Sequence, residues 1–180
     1  MFYKFMFVRL FLLISSLGMA GVSMAEDLEM LPPVSIINSA DLRSDGQIAQ
    51  HSQKPILILF AMQGCSYCQY VEEEHLKPML RNANYRSKVI IRRIMTDSYG
   101  SITDFNGATI SSQDLSTRYG AYLTPTVVFV DHEGNKLVPG IHGVRNTEYY
   151  GLDLDEGLDR SLLTIRERLA ALQKSSRKNL

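Results

Sequence analysis

A chain of 180 residues with 45% apolar and 21% charged positions can bury one core, and its composition is not that of a disordered segment. Its 19 basic and 19 acidic residues cancel, and no basic stripe points to nucleic acid. Two cysteines, Cys65 and Cys68, are too few and too close together to form a disulfide framework.

The first 25 residues read apart from the rest. Lys4 and Arg9 make a positive start, residues 10–22 are mostly apolar, and Ser23-Met24-Ala25 puts small residues where a signal peptidase cuts. This predicts a signal peptide over residues 1–25, removed after Ala25. An uncleaved anchor helix would need about 20 apolar residues. The run here is shorter and is interrupted by Ser15, Ser16 and Gly18. The expectation is an exported, periplasmic protein with no stable membrane anchor after cleavage, its domain over residues 26–174 and a polar tail over 175–180. In an oxidising compartment a pair that closes so small a loop contributes little stability. Chemistry is the better reason for having it.

Residues 26–33 read as an extended leader in which Pro32-Pro33 blocks helix. Residues 34–37 are expected to form an edge strand. Asn38 or Ser39 is expected to cap a helix running from about 40 to 52, which Lys54-Pro55 ends. Residues 56–60 are an unbroken apolar run, the pattern of a strand covered on both faces. The two cysteines follow. Beyond them Val71, Leu76, Met79 and Leu80 keep roughly helical spacing, and Pro78 must kink or restart that helix. Residues 89–94 make the next strand, so strand, helix and strand imply a right-handed parallel crossover.

Residues 96–110, rich in Ser, Gly, Thr and Asp, read as a long irregular loop. Ser111 or Ser112 can cap a short helix to Tyr119, ended by Gly120. Residues 126–130 form a second apolar strand. A turn at 131–135 then returns an antiparallel partner over 136–144, broken at Pro139-Gly140. Leu158, Leu162, Ile165, Leu169 and Leu172 make one apolar stripe on a terminal helix.

A Cys-x-x-Cys where a strand hands over to a helix is the arrangement a dithiol redox site needs. Cys65 then sits at the helix start, where free N–H groups and the macrodipole favour its thiolate. Cys68, one turn on, can attack a mixed disulfide made by Cys65. Gly64, Ser66 and Tyr67 support the helix start. Zinc would want two such pairs, or a pair with spaced histidines. His51, His75, His132 and His142 are scattered, so neither metal nor cofactor is expected. Two other readings stay open at this point. Cys65 and Cys68, with Met62, could handle copper or zinc, or the dithiol could be incidental to a partner-binding module whose contact surface is the 96–110 loop.

A second motif adds to the first. Tyr119-Gly120, then Thr124-Pro125-Thr126, an apolar strand and a glycine turn resemble the stretch around the thioredoxin cis-proline. With the element order, residues 56–172 resemble the thioredoxin-like superfamily. They are most similar to exported members, including those of sulfur-oxidation systems. Ser66-Tyr67 between the cysteines, and threonine before the proline, also resemble the catalytic domain of periplasmic disulfide isomerases. The resemblance implies an α/β thioredoxin fold, a central mixed sheet flanked by helices on both faces. It implies a thiol–disulfide oxidoreductase acting on protein thiols and disulfides. With no acid at Leu59 and no positive charge from Ser66-Tyr67, the expected direction is reduction or isomerisation, and in an oxidising compartment that direction requires a membrane electron donor. The resemblance makes Pro125 the cis-proline beside the dithiol and leaves the main chain of Thr124 free for an extended substrate.

There are two departures. Gly64 stands where thioredoxins have tryptophan, and Leu59 stands where they bury an acid. Glu72 could substitute for that acid, but the favoured reading is a solvated helix-face side chain. His75, similarly, reads as a half-buried helix residue rather than a proton carrier.

Overall fold

The apolar run at 56–60 becomes β2 (Ile56–Ala61), all six residues buried, in a computed structural model that describes residues 33–178. The expected signal peptide and its cleavage point lie outside the described residues. β3 (Ile90–Met95) pairs parallel with one edge of β2, and β6 (Thr126–Val130) pairs antiparallel with the other. β1 (Ile37–Asn38) extends the sheet beyond β3 in parallel, and β7 (Ile141–His142) beyond β6 antiparallel. The order is β1-β3-β2-β6-β7.

Both faces of this sheet are covered, which is why β2 shows no polar alternation. Leu57, Leu59 and Ala61 pack into one apolar layer; Ile56, Ile58 and Phe60 pack into the other. The first layer is closed by α2 (Ser66–Val71) and α6 (Tyr150–Lys178), through Cys68, Val71, Leu154, Leu158 and Leu162. The second is closed by α1 (Leu42–Ser52) and α5 (Ser112–Arg118), through Leu42, Ala49 and Leu115. The expected fold class, a mixed central sheet with helices on both faces, is the one found. Among the described residues no helix is long and apolar enough to cross a membrane.

Local boundaries differ where pairing outbids a local signal. α1 begins at Leu42, capped by Asp41, whose side chain accepts the Ser44 N–H at 3.0 Å. Asn38 and Ser39, the expected caps, are used elsewhere. Asn38 lies in β1 opposite Arg93, and the Ser39 hydroxyl donates to buried Asp45. Pro78 falls in the first turn of α3 (Lys77–Arg81), where a missing N–H is tolerated. The irregularity moves upstream, to a π-helical turn at Glu72–Leu76. A short α4 (Ala83–Arg86), capped by Asn82, leads into β3.

The 96–110 stretch is not an irregular loop. β4 (Ser101–Thr103) and β5 (Thr109–Ser111) form an antiparallel hairpin of their own. Each strand is three residues long and sends little inward, Ile102 being the buried side chain, so no alternating pattern announces it. Arg118 of α5 ties the hairpin down through Asp104 at 2.6 Å. The terminal helix also starts earlier than its stripe suggested. Tyr150, Leu154, Leu158 and Leu162 are buried, whereas Leu172 is 67% exposed. Residues 175–178, expected as tail, continue α6.

Candidate active site

β2 delivers the chain to one end of the sheet at Ala61, and a tight turn follows in which the Cys65 N–H donates to the Met62 carbonyl at 3.4 Å. Gly64 occupies this turn with φ +72°, in the left-handed region that glycine enters without strain. Cys65 then caps α2, its sulfur accepting the Cys68 N–H at 3.1 Å. The two cysteines are joined in a disulfide with Cα atoms 5.2 Å apart. Cys68 is only 3% exposed, Cys65 is half-buried, and Ser66 and Tyr67 face solvent.

The segment before β6 meets this turn from across the sheet. The Thr124 hydroxyl lies 3.6 Å from the Cys65 sulfur. The Thr124–Pro125 peptide bond is cis. Neighbours hold the segment: the Gly143 N–H donates to the Pro125 carbonyl at 2.8 Å, and the buried Thr126 hydroxyl donates to the Leu123 carbonyl at 2.8 Å. Among the described residues no hydrogen bond engages the N–H or C=O of Thr124. Cys65, Cys68, Thr124 and Pro125 therefore converge at one end of the sheet, with Gly64, Ser66 and Tyr67 at its surface.

Leu59 is fully buried in the layer beneath α2 and carries no proton. Its register partner on β3 is Arg93. Arg93 Nη1 contacts both oxygens of Glu72 at 2.8 and 2.7 Å, and its Nε donates to Asn38 at 2.7 Å. Glu72 is thus not the solvated helix-face residue expected. Its side chain is 13% exposed and committed to an ion pair one turn beyond Cys68. No local signal in the sequence pairs a helix glutamate with a strand arginine 21 positions on; the crossover does.

His75 sits on the π-helical turn, its Nε2 within 3.3 Å of the Tyr70 hydroxyl, which in turn donates to the Thr147 carbonyl at 3.1 Å. Its ring lies 5.3 Å from that of buried Tyr150. It is the half-buried helix residue expected. Burial lowers its pKa from the usual histidine value of 6.5, partly opposed by Glu74 and Asp155, which raise it. A folded-state pKa below the unfolded one means that the unfolded chain binds more protons in this window. Stability is therefore fully present above about pH 6.5 and declines as pH falls toward the depressed value. Urea midpoints measured from pH 7 to pH 5 should fall in the wild type and fall less in His75→Phe. Parallel slopes would show that His75 does not carry the effect.

Met62 is 46% exposed beside the dithiol. Asp97, which the sequence reading passed over inside the long loop, accepts the Gln63 N–H at 2.9 Å. The signal was available: parallel neighbours leave a sheet side by side, so the residues just after β3 flank those just after β2.

What the site can do chemically is reversible exchange between a dithiol and a disulfide. A thioredoxin of Fasciola hepatica shares 15% identity, with 70% of this chain and 99% of that one covered and a TM-score of 0.48. Oxidised mitochondrial thioredoxin 3 of Saccharomyces cerevisiae shares 17%, over 69% and 93%, at 0.44. A thioredoxin-fold protein of Helicobacter pylori shares 20%, over 66% and 86%, at 0.43. No curated protein sequence matches the chain. Residues 42–149, more than half of the molecule and spanning both the cysteine pair and Thr124-Pro125, match the family model of the thioredoxin-like domain. The chain therefore belongs to the thioredoxin-like domain family, and with its Cys-x-x-Cys pair it is a thiol–disulfide oxidoreductase.

Proposed function

We propose that this is an exported enzyme that reduces or isomerises disulfides in other proteins. The observation that carries the reading is the asymmetry of the pair: Cys65 reaches the surface beside Thr124, while Cys68 is buried behind it. In the reducing direction the Cys65 thiolate attacks one sulfur of a substrate disulfide. A bond forms between the two sulfurs, the substrate's own S–S bond breaks, and its other sulfur leaves as a thiolate that takes a proton from water. Cys68, having lost its proton, then attacks the Cys65 sulfur. The mixed disulfide breaks, the second substrate thiolate leaves, and the Cys65–Cys68 disulfide closes. Two electrons have passed from the dithiol to the substrate.

Thr124 offers its main chain, unpaired among the described residues, to an extended substrate segment, as a strand edge does. Pro125 shapes that segment, and Gly64, Ser66 and Tyr67 present Cys65. An oxidising compartment demands an external dithiol to restore the reduced pair, and a membrane thiol transporter is the donor we assign. The positive start, apolar run and small residues of positions 1–25 support export, a setting shared with the thioredoxin-like proteins of sulfur-oxidation systems.

What surrounds the sulfur supports the reducing direction. Strong oxidants hold a strongly stabilised thiolate, and the most oxidising periplasmic couple lies near about −120 mV against about −270 mV for thioredoxin. Ser66 can contribute one hydroxyl, Tyr67 brings no positive charge, and Leu59 no acid. A potential well below that of the strongest oxidant is expected from equilibration in glutathione buffers, together with insulin reduction in the presence of dithiothreitol. A potential near the strongest oxidant's, with no insulin reduction, would reverse the direction. Thiol trapping on a periplasmic fraction should find the pair reduced, on a protein whose intact mass begins at Glu26. A full-length, membrane-retained product would contradict export.

A further inference from the structure

The charged side chain bonded to the dithiol loop is an acid. Asp97 Oδ2 accepts the N–H of Gln63 at 2.9 Å, two residues before Cys65. The sheet places it there. β2 and β3 run parallel with Ala61 opposite Met95, so both chains leave the sheet together. The Thr96 N–H to Ala61 carbonyl bond, at 2.8 Å, extends that pairing one residue further. Asp97 comes next, level with the loop. The Ser98 N–H then bonds back to the Met95 carbonyl at 3.3 Å and turns the chain away toward β4.

Among the described residues, Asp97 is the charged side chain hydrogen-bonded to this loop. Residues 62–71 and 119–130 contain no Asp, Glu, Lys, Arg or His. Their titratable groups are the tyrosines Tyr67, Tyr70, Tyr119 and Tyr122 beside the two cysteines. Beneath α2, Arg93 and Glu72 are committed to each other. On β7, His142 lies 3.4 Å from the Thr126 hydroxyl, and Arg145 follows on the exposed segment after it. The Cys65 sulfur itself meets two neutral donors, the Cys68 N–H and the Thr124 hydroxyl.

We propose that Asp97 is a positioning residue for the dithiol loop, and that its charge opposes the Cys65 thiolate and so biases the enzyme toward reducing its substrates. This deepens the oxidoreductase reading and rests on it. The two roles are separable. As an acceptor, the carboxylate fixes the turn from Met62 to Cys65. As an anion bonded to the loop two residues before Cys65, it disfavours a second negative charge on the Cys65 sulfur. A less stabilised thiolate shifts the couple toward its disulfide, which makes the dithiol the stronger reductant. Asp97 is exposed, so solvent and salt weaken the charge effect to a few-fold change.

Asp97→Asn keeps an acceptor and removes the charge, whereas Asp97→Ala removes both. The readouts are the pH profile of Cys65 alkylation by iodoacetamide in the reduced protein and the equilibrium with glutathione. Each is taken at about 0.01 M and about 1 M salt, where the Debye length falls from roughly 30 to 3 Å. At low salt, Asp97→Asn should raise the thiolate fraction of Cys65 about threefold at pH values below its alkylation midpoint and move the glutathione equilibrium about threefold toward the dithiol. Both differences should shrink at high salt. Asp97→Ala should show the same charge effect and, in addition, reduce insulin several-fold more slowly than Asp97→Asn. An Asn variant matching wild type at low salt, or differing equally at both salts, would overturn the charge role. An Ala variant no slower than Asn would overturn the positioning role. The alkylation profile reads Asp97 whether or not insulin is turned over; an inactive wild type would sink the oxidoreductase reading and leave that profile interpretable.

Discussion

Cys68→Ala should accumulate mixed disulfides with its protein substrates, and Cys65→Ala should accumulate none while disulfide reduction falls to the uncatalysed rate. The reason is the placement of the two sulfurs. Cys65 caps α2 and is half-buried at the surface, beside the Thr124 hydroxyl. Cys68 lies inside the helix and is 3% exposed, so a bulky disulfide cannot reach it directly. Thiolates at helix starts have pKa values drawn down from about 8.5 into a range of roughly 3.5–7.5, whereas thiols buried among apolar side chains stay protonated. Cys65 is therefore the attacking group and Cys68 the resolving one. Removing the second stops the cycle halfway, at a covalent intermediate visible on a non-reducing gel. If Cys65→Ala captured partners as well as Cys68→Ala, the two roles would have to be exchanged.

Phe129→Ala should lower stability by about 3–5 kcal/mol, the range for deleting a fully buried phenylalanine ring. In a chain of this size that moves the melting temperature by on the order of 10 °C. Phe129 is fully buried on β6, in the layer that α6 closes. α6 passes over it at Gly157, where a Cβ would come within 2.6 Å of the ring. The missing side chain on the helix and the large one on the strand fit each other. Gly157→Ala alone should thus overpack this contact and destabilise by about 1–3 kcal/mol. In the double variant the added methyl enters space the ring has left, so the combined loss should be smaller than the two single losses added together. Thermal or urea unfolding of the four proteins completes the cycle. Strict additivity would mean that the two residues do not share the contact.

Within the residues the structure describes, the sequence by itself determined β2, β3, β6 and the dithiol helix. The unbroken apolar runs of β2 and β6 are the pattern of strands buried on both faces, and β3 keeps Ile90, Ile91 and Ile94 around Arg92 and Arg93. It also determined that Cys65 and Cys68 would meet the start of a helix and that Thr124-Pro125 would precede a buried strand, because these are local relations between neighbours in the chain. What surrounds the dithiol was decided by tertiary structure. Arg93 reaches Glu72 because the parallel crossover sets β3 beside β2 and swings α2 over the same face. Asp97 reaches Gln63 because two parallel strands end level with each other. The hairpin of β4 and β5 was illegible for a related reason: each of its strands is three residues long, and burying Ile102 leaves no periodicity to read. Asn38 and Ser39 are each good helix caps by local chemistry alone. Strand pairing with β3 took Asn38, buried Asp45 took Ser39, and Asp41 capped the helix instead. A cap satisfies one N–H over a few residues, while a sheet edge satisfies backbone groups along a whole strand, and a one-dimensional pattern cannot rank the two until the partner strand is in place.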